Sequence, residues 1–280
     1  MFNRKIHTLL FVLLVFTLAS CEQSDPPSAG GADEPGDIHF SGYDWKIKDS
    51  NGGLMGPGNN YFSKDPGNVW LDQNGHLHLR IRKVGNRWTC SEVISTSEFG
   101  YGTYVFTVSS DVSTLNEKVV FGLFTWSDYT FLEAANSEVD VEFSKWNNPN
   151  DTFLLTYSVQ PVWFDNPSPY LERTRRPSVA RNYLRSTATH VFNWTPDTIT
   201  WNSYAGDYPP TGASWASWSF DRSKPSRQKI EGGRTSQPVV IPAPFTTTNA
   251  RMNLWLLGGL PPTDNTEAEV VVKRFQYIPR

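Results

Sequence analysis

From residue 38 onward the apolar positions recur with a period of two, and almost nowhere with the period of a helix. In HLHLRIR (76–82), Leu77, Leu79 and Ile81 point one way, and His76, His78, Arg80 and Arg82 the other. The turn residues Asp72-Gln73-Asn74-Gly75 precede that run. The same pattern predicts strands in YGTYVFTV (101–108), VVFGLFTW (119–126), EVDVEF (138–143) and TFLLTYSV (152–159). HVFNWT (190–195) and TITWNSY (198–204) flank the turn dipeptide Pro196-Asp197, and MNLWLL (252–257) and AEVVVKRFQYI (268–278) close the chain. Many short strands joined by turns predict an all-β domain, an antiparallel sandwich or barrel. No internal repeat or composition boundary splits residues 38–280, which are expected to form one domain.

The first residues follow a different pattern. Arg4 and Lys5 precede the apolar run 9–18, which is too short for a good membrane-spanning helix and reads as a secretory signal over 1–20. Leu18-Ala19-Ser20-Cys21 resembles a bacterial lipobox, which implies cleavage before Cys21 and acylation of that residue. A plain signal peptide with an incidental Cys is the alternative. Acyl chains on Cys21 would hold the protein to a lipid bilayer, which places it in the bacterial cell envelope, at the outer membrane or cell surface. Residues 22–37, EQSDPPSAGGADEPGD, have almost nothing to bury, so 21–37 is expected to be a flexible tether.

Composition narrows the function classes. A formal charge of −3, shifting to −5 once Arg4 and Lys5 are removed, and the lack of a basic cluster argue against a nucleic-acid partner. Loss of Cys21 to lipid would leave Cys90 without an intrachain partner, so a buried structural thiol is expected and no disulfide. His76 and His78 share a strand face, yet no acid–His or Cys–His cluster completes a metal site. No phosphate-binding glycine loop or G-x-S-x-G motif is present. With 11 Trp, 11 Tyr and 17 Phe, the composition is that of a globular chain, but aromatic-rich.

The remaining chemistry lies in SEVDVEFSKW (137–146). Glu138, Asp140 and Glu142 occupy every second position, so a strand puts all three on one face and Val139, Val141 and Phe143 on the other. Glu138 and Glu142 then have Cα atoms about 13 Å apart. Their side chains can lean toward each other, to near the ~5–5.5 Å carboxyl separation of retaining glycosidases. Asp140 between them can hydrogen-bond one Glu and help keep the two pKa values apart. An acidic patch or a calcium site would show the same spacing.

The surrounding segments add a resemblance. E-V-D-V-E-F (138–143) is similar to the active-site strand E-[ILV]-D-x-E of glycoside hydrolase family 16, whose members include lichenases, laminarinases and xyloglucan-active enzymes. SNGG (50–53), SEVISTSEFGYGTYVF (91–106), FGLFTW (121–126), HVFNWTPDTITW (190–201) and MNLW (252–255) resemble that family's recurrent segments, in its order. The resemblance implies a concanavalin A-like β-jelly-roll sandwich of two curved antiparallel sheets, with a glycan cleft across the concave face. It implies a retaining, endo-acting hydrolase of a polysaccharide, expected to be a β-glucan, with transglycosylation as a related outcome. Glu138 would be the nucleophile, Asp140 the assisting acid and Glu142 the general acid/base. Trp126, Asn253 and Trp255 match cleft positions, and Asn51, Glu92 and Tyr157 fall where the family contacts sugars. No cofactor is implied, and a monomer is expected. A non-catalytic glycan-binding lipoprotein on the same scaffold is the competing reading.

Departures from the family pattern bear on substrate. Asn136 stands where lichenases usually carry Trp, and Ile94 replaces an Arg. Lys273 stands in place of an acidic calcium ligand. Two long stretches, 161–182 and 206–237, carry Arg173, Arg175, Arg176, Trp215 and Trp218, which could meet a glycan or merely decorate the surface.

Overall fold

The computed structural model describes residues 37–162 and 170–280. The predicted signal, the lipidation residue Cys21, almost all of the tether and residues 163–169 of the first long stretch lie outside the described residues. In chain order the strands are β1 (Asp37–Phe40), β2 (Tyr43–Ile47), β3 (Tyr61–Phe62), β4 (Val69–Leu71), β5 (Leu77–Val84) and β6 (Arg87–Ser95). Then come β7 (Gly102–Val108), β8 (Val119–Trp126), β9 (Val139–Ser144), β10 (Leu155–Val159), β11 (Thr174–Arg175) and β12 (Ala188–Trp194). The last are β13 (Thr198–Ala205), β14 (Ala216–Asp221), β15 (Ile230–Glu231), β16 (Arg234–Thr235), β17 (Asn249–Leu256) and β18 (Ala268–Pro279). Two single α-turns, α1 (Phe131–Ala134) and α2 (Tyr170–Arg173), sit between strands.

One layer runs β11-β10-β9-β8-β17-β6, with β2 and then β1 beyond β6. The other runs β5-β18-β7-β12-β13-β14, with β4 on the free edge of β5. The two are joined where Arg82–Val84 pair with Arg87–Thr89, so the sheet folds over on itself at the β5–β6 hairpin. Pairing is antiparallel, except that Tyr61-Phe62 run parallel to Thr89-Cys90.

The core lies between the layers and is built by alternation. Val119, Phe121, Leu123, Val139, Val141, Phe143, Met252 and Leu254 face inward from one layer and are fully buried. Tyr104, Phe106, Phe192, Trp194, Trp201 and Phe275 meet them from the other. Tyr104 stacks on Phe192 with ring centroids 4.7 Å apart. Such pairs add about 0.5–1.5 kcal/mol to the gain from burial. A fully buried Leu or Phe side chain itself gives about 1.5–3 kcal/mol.

Each strand expected from period two is present, with ends shifted by up to three residues. The β1–β2 hairpin, β6 and β14 are additional. In β6, Cys90, Ser91, Glu92 and Val93 are all buried, so no polar face alternates with an apolar one. In β14, Phe220 is fully buried and Trp218 stacks on Trp201 at 4.6 Å, so part of the 206–237 stretch belongs to the core. Trp215 likewise stacks on Tyr183 at 5.4 Å.

Other expectations resolve in the same way. Arg173 is fully buried and unavailable to a glycan; its guanidinium donates to the carbonyls of Val159, Gln160 and Val240 at 3.2, 2.9 and 2.7 Å. Arg176 pairs with Asp151 at 2.8 Å. Cys90 is a free, buried thiol donating to Asn60 Oδ1, and burial pushes it up to about 12. Lys273 falls in a bulge of β18 and pairs with Asp207 at 2.7 Å, so an ammonium stands at the position compared with a calcium ligand, and the residues there do not suit a divalent cation.

Candidate active site

β9 pairs without a bulge on both sides: Asp140 lies between Phe124 and Ser158, and Glu142 between Gly122 and Thr156. That regular register turns the three acids away from the core their intervening neighbours fill. The strand is entered through a left-handed Asn136 (φ 67°), which a short amide side chain tolerates better than a branched one. Thr125 locks the entry: its hydroxyl donates to the Ser137 carbonyl at 2.9 Å and accepts from the Val139 N–H at 3.2 Å.

The three acids have different environments. Asp140 is buried and its Oδ2 accepts from Ser158 Oγ at 2.8 Å. Burial and then its two Glu neighbours hold it well above the usual carboxylate range, with the Ser158 hydrogen bond opposing. Glu142 is pushed up to about 8 by burial and by the charge of Glu138. Burial also raises Glu138, but the charge and hydrogen bond of Lys229 oppose that rise. Lys229 Nζ lies 3.1 Å from Glu138 Oε2 and 2.9 Å from Asn136 Oδ1.

A register row extends from Glu142 across the sheet through Gly122 and Asn253 to Glu92. Gly122 leaves room for Asn253: a Cβ there would stand 2.6 Å from Asn253 Oδ1. Asn253 Nδ2 donates to Glu92 Oε2 at 3.3 Å. Glu92 is buried yet charge-balanced, with Lys48 Nζ at 3.0 Å and Arg251 Nη1 at 3.5 Å. Burying it alone would be costly; two cations offset that cost.

Trp126, at the end of β8, donates from Nε1 to Asp128 Oδ1 at 2.8 Å. The Lys229 ammonium lies over its ring at 4.5 Å and the Arg251 guanidinium at 5.8 Å, so cations already lie against the indole. Trp255 is half-buried and its ring packs on the backbone near Gly58, where a Cβ would meet it at 2.8 Å.

The structure therefore groups Glu138, Asp140 and Glu142 on one strand face, with Asn253 and Glu92 in the row of Glu142 and Trp126 joined to Glu138 through Lys229. It does not bring Tyr157 there. Tyr157 pairs with Val141, points into the core and meets Ser203 through its hydroxyl at 2.5 Å. Its neighbours Thr156, Ser158 and Gln160 have the parity that faces the acids. Asn51 sits in an exposed left-handed turn, its backbone N–H donating to Asp49 Oδ1 at 2.8 Å.

Residues that sequence reading passed over include Ser158, Lys48, Arg251, Trp146 and Lys229. Ser158 was accessible from the alternation of TFLLTYSV. Trp146, whose Nε1 donates to Thr156 Oγ1 at 3.4 Å beside Glu142, follows the acidic strand directly. Lys229 carried no signal, because its position depends on a long connection with no periodicity.

Chemically, one carboxylate sits against an ammonium and two others are disposed to hold protons. That combination can deliver a nucleophile or base and an acid to one bond. No protein-family model matches the chain, and no curated protein matches it in sequence. Solved structures do match. The Bacillus licheniformis β-glucanase aligns at TM-score 0.53 and 19% identity, covering 88% of this chain and 99% of that one. Laminarinase from Flavobacterium sp. UMI-01 aligns at TM-score 0.58 and 12% identity, covering 86% and 97%. A pseudo β-1,3-glucanase and immunostimulatory antigen of Mycobacterium tuberculosis aligns at TM-score 0.55 and 17% identity, covering 84% and 91%. The fold of this chain is the all-β, concanavalin A-like jelly-roll sandwich shared by these glucanase structures.

Proposed function

We propose that this chain is a retaining, endo-acting glycoside hydrolase of a polysaccharide of the β-glucan class. The observation that carries the reading is the asymmetry along β9: Glu138 sits beside an ammonium while Glu142, on the same face, is raised to about 8. A double displacement needs that pair of states. The Glu138 carboxylate attacks the anomeric carbon as the glycosidic C–O bond breaks, and Glu142 gives its proton to the departing oxygen. Glu142, now a carboxylate, takes a proton from water as that water attacks the glycosyl–Glu138 ester, which restores both groups. A sugar hydroxyl in place of water gives transglycosylation. Asp140, held by Ser158, is the assisting acid between the two.

Asn253, Glu92, Trp126 and Trp255 are proposed to bind the glycan, amides and acids meeting hydroxyls and indoles meeting sugar faces. On this reading the enzyme works at the cell envelope, tethered through Cys21. The Lys229–Glu138 ion pair favours a second reading, a glycan-binding protein that does not turn over, since it engages the carboxylate that a nucleophile must have free.

Reducing-end release by the full chain, Glu138→Gln and Glu142→Gln on lichenan, laminarin, xyloglucan, agarose and carrageenan tests both. Activity on one glycan, lost in both variants and with the β-anomer formed first by NMR, supports the hydrolase. Retention of a glycan on an affinity gel without release of sugar supports the binder.

A further inference from the structure

Lys229 belongs to the 206–237 stretch, far in sequence from the acidic strand, yet its side chain is only 13% exposed. Three groups surround its ammonium: Glu138 Oε2 at 3.1 Å, Asn136 Oδ1 at 2.9 Å and the face of Trp126 at 4.5 Å. A more exposed acid, Glu231, lies at 3.7 Å. The seat for this cation is built. Asn136 is itself buried, and its Nδ2 donates to the Ser127 carbonyl at 3.0 Å, which aims Oδ1 at Lys229.

The segment that delivers Lys229 is fastened on several sides. Ser236 grips the backbone of Lys229 twice, its Oγ accepting from the Lys229 N–H and its own N–H donating to the Lys229 carbonyl, both at 2.8 Å. Arg227 and Val239 exchange both backbone hydrogen bonds, at 2.9 and 2.8 Å. Gln237 N–H donates to the Leu132 carbonyl at 2.6 Å, and the Arg234 guanidinium lies 4.3 Å over Phe131, so the segment is tied to α1. Arg227 reaches Glu172 of α2 at 3.0 Å. A cation held this way is fixed in place before any substrate arrives.

We propose that Lys229 is a positioning residue of the reaction: a fixed ammonium, seated by Asn136, that keeps the Glu138 carboxylate charged and aimed. The inference rests on the hydrolase reading and adds to it the group that decides which acid is the nucleophile. Symmetric acids on one strand face would share their protons without preference. An ammonium in contact with one end of the row removes the symmetry.

The other charged groups act on Glu138 less than Lys229 does: Glu231 pushes its carboxyl up and Arg251 pulls it down, each more weakly. Arg251 is engaged with Asp128 at 2.9 Å and Glu92 at 3.5 Å, and Lys48 with Glu92 at 3.0 Å. Asn136 and Lys229 form one device in which each residue explains the other. The Asn136 amide oxygen is the acceptor the lysine needs.

The test uses the full chain with 13C-labelled glutamate carboxyls, the Glu138 resonance being assigned from its loss in Glu138→Gln. The titration is followed in the wild type, Lys229→Met and Lys229→Arg. Glu138 in Lys229→Met is expected to titrate about one pH unit or more above the wild type, the effect of losing a contacting opposite charge. Lys229→Arg is expected to restore the wild-type titration. The acid limb of kcat/KM on the glycan that is cleaved should move up by the same amount in Lys229→Met alone.

Identical Glu138 titrations in all three proteins would overturn the proposal, even if Lys229→Met melts earlier. If no glycan is cleaved by the wild type, the hydrolase reading fails by itself, and the reaction role of Lys229 falls with it. The carboxyl titration then still reports whether Lys229 holds the charge on Glu138, so the two failures are told apart.

Discussion

Gly122 and Asn253 face each other across β8 and β17 so closely that a Cβ on residue 122 would stand 2.6 Å from Asn253 Oδ1. That oxygen is buried and has no hydrogen-bond partner within the described protein, and residue 122 also neighbours Glu142 in register. Gly122→Ala is therefore expected to displace the Asn253 amide within the row that holds Glu142. The fold should tolerate this at a cost of about 1–3 kcal/mol, typical of overpacking. On the proposed hydrolase reading, activity should fall about tenfold or more, because small misplacements at a reacting group are costly. Thermal melts and kcat/KM on the same preparation check both.

The pH dependence of activity follows from the acids. On the proposed hydrolase reading, Glu142, raised to about 8 by burial and by Glu138, must be protonated to donate to a leaving oxygen. The rate is expected to fall as pH rises through about 8. Glu142→Gln should lose about 10²–10⁴ in rate on a polysaccharide. It should lose much less on an aryl glycoside whose leaving group needs no proton, and there the alkaline limb should vanish.

The same shift has a stability consequence of opposite sign to that of a salt-bridged acid. Between the ordinary value of 4.5 and about 8, the folded state keeps a proton on Glu142 that the unfolded chain has released. Stability therefore falls as pH rises through that window. Glu142→Gln removes the penalty and should raise stability at pH 8 by on the order of 2–4 kcal/mol. The gain should vanish near pH 4, where both states of the wild type are protonated. Denaturant melts of the two proteins at the two pH values test this.

Arg173 supplies the last prediction. Its guanidinium satisfies three buried or half-buried carbonyls and stacks over Phe220 at 5.0 Å. Arg173→Met should destabilise by about 2–4 kcal/mol through stranded acceptors. The exposed Arg175→Ala should stay within about 0.5 kcal/mol of the wild type. Parallel urea titrations would separate the two arginines.

Much of this molecule was legible in the order of its residues, and for a simple reason. Strands such as VVFGLFTW and EVDVEF bury one face, and period two writes that face into the sequence. Glu138, Asp140 and Glu142 were visible because their parity opposes that of Val139, Val141 and Phe143. Tyr157 shares the parity of the core residue Val159, which turns it away from the acids. Glu92 and Asn253 meet only because β6 and β17, separated by more than 150 residues, are paired. Lys229 shows the limit most sharply: its role depends on where a long, aperiodic connection is tied down, and no local pattern encodes that.

The unbroken pairing of β9 has a genetic corollary. One codon gained or lost inside residues 138–143 would exchange two populations of side chains at once, pushing carboxylates among aromatic rings and valines into solvent. Such a lesion would fail as a protein before it could be tried as a catalyst. Insertions that survive must be accommodated as bulges or fall in the connections. A lineage built on this sheet is thereby steered to explore new chemistry through its loops, where a lysine can be brought to an old carboxylate without moving a single strand.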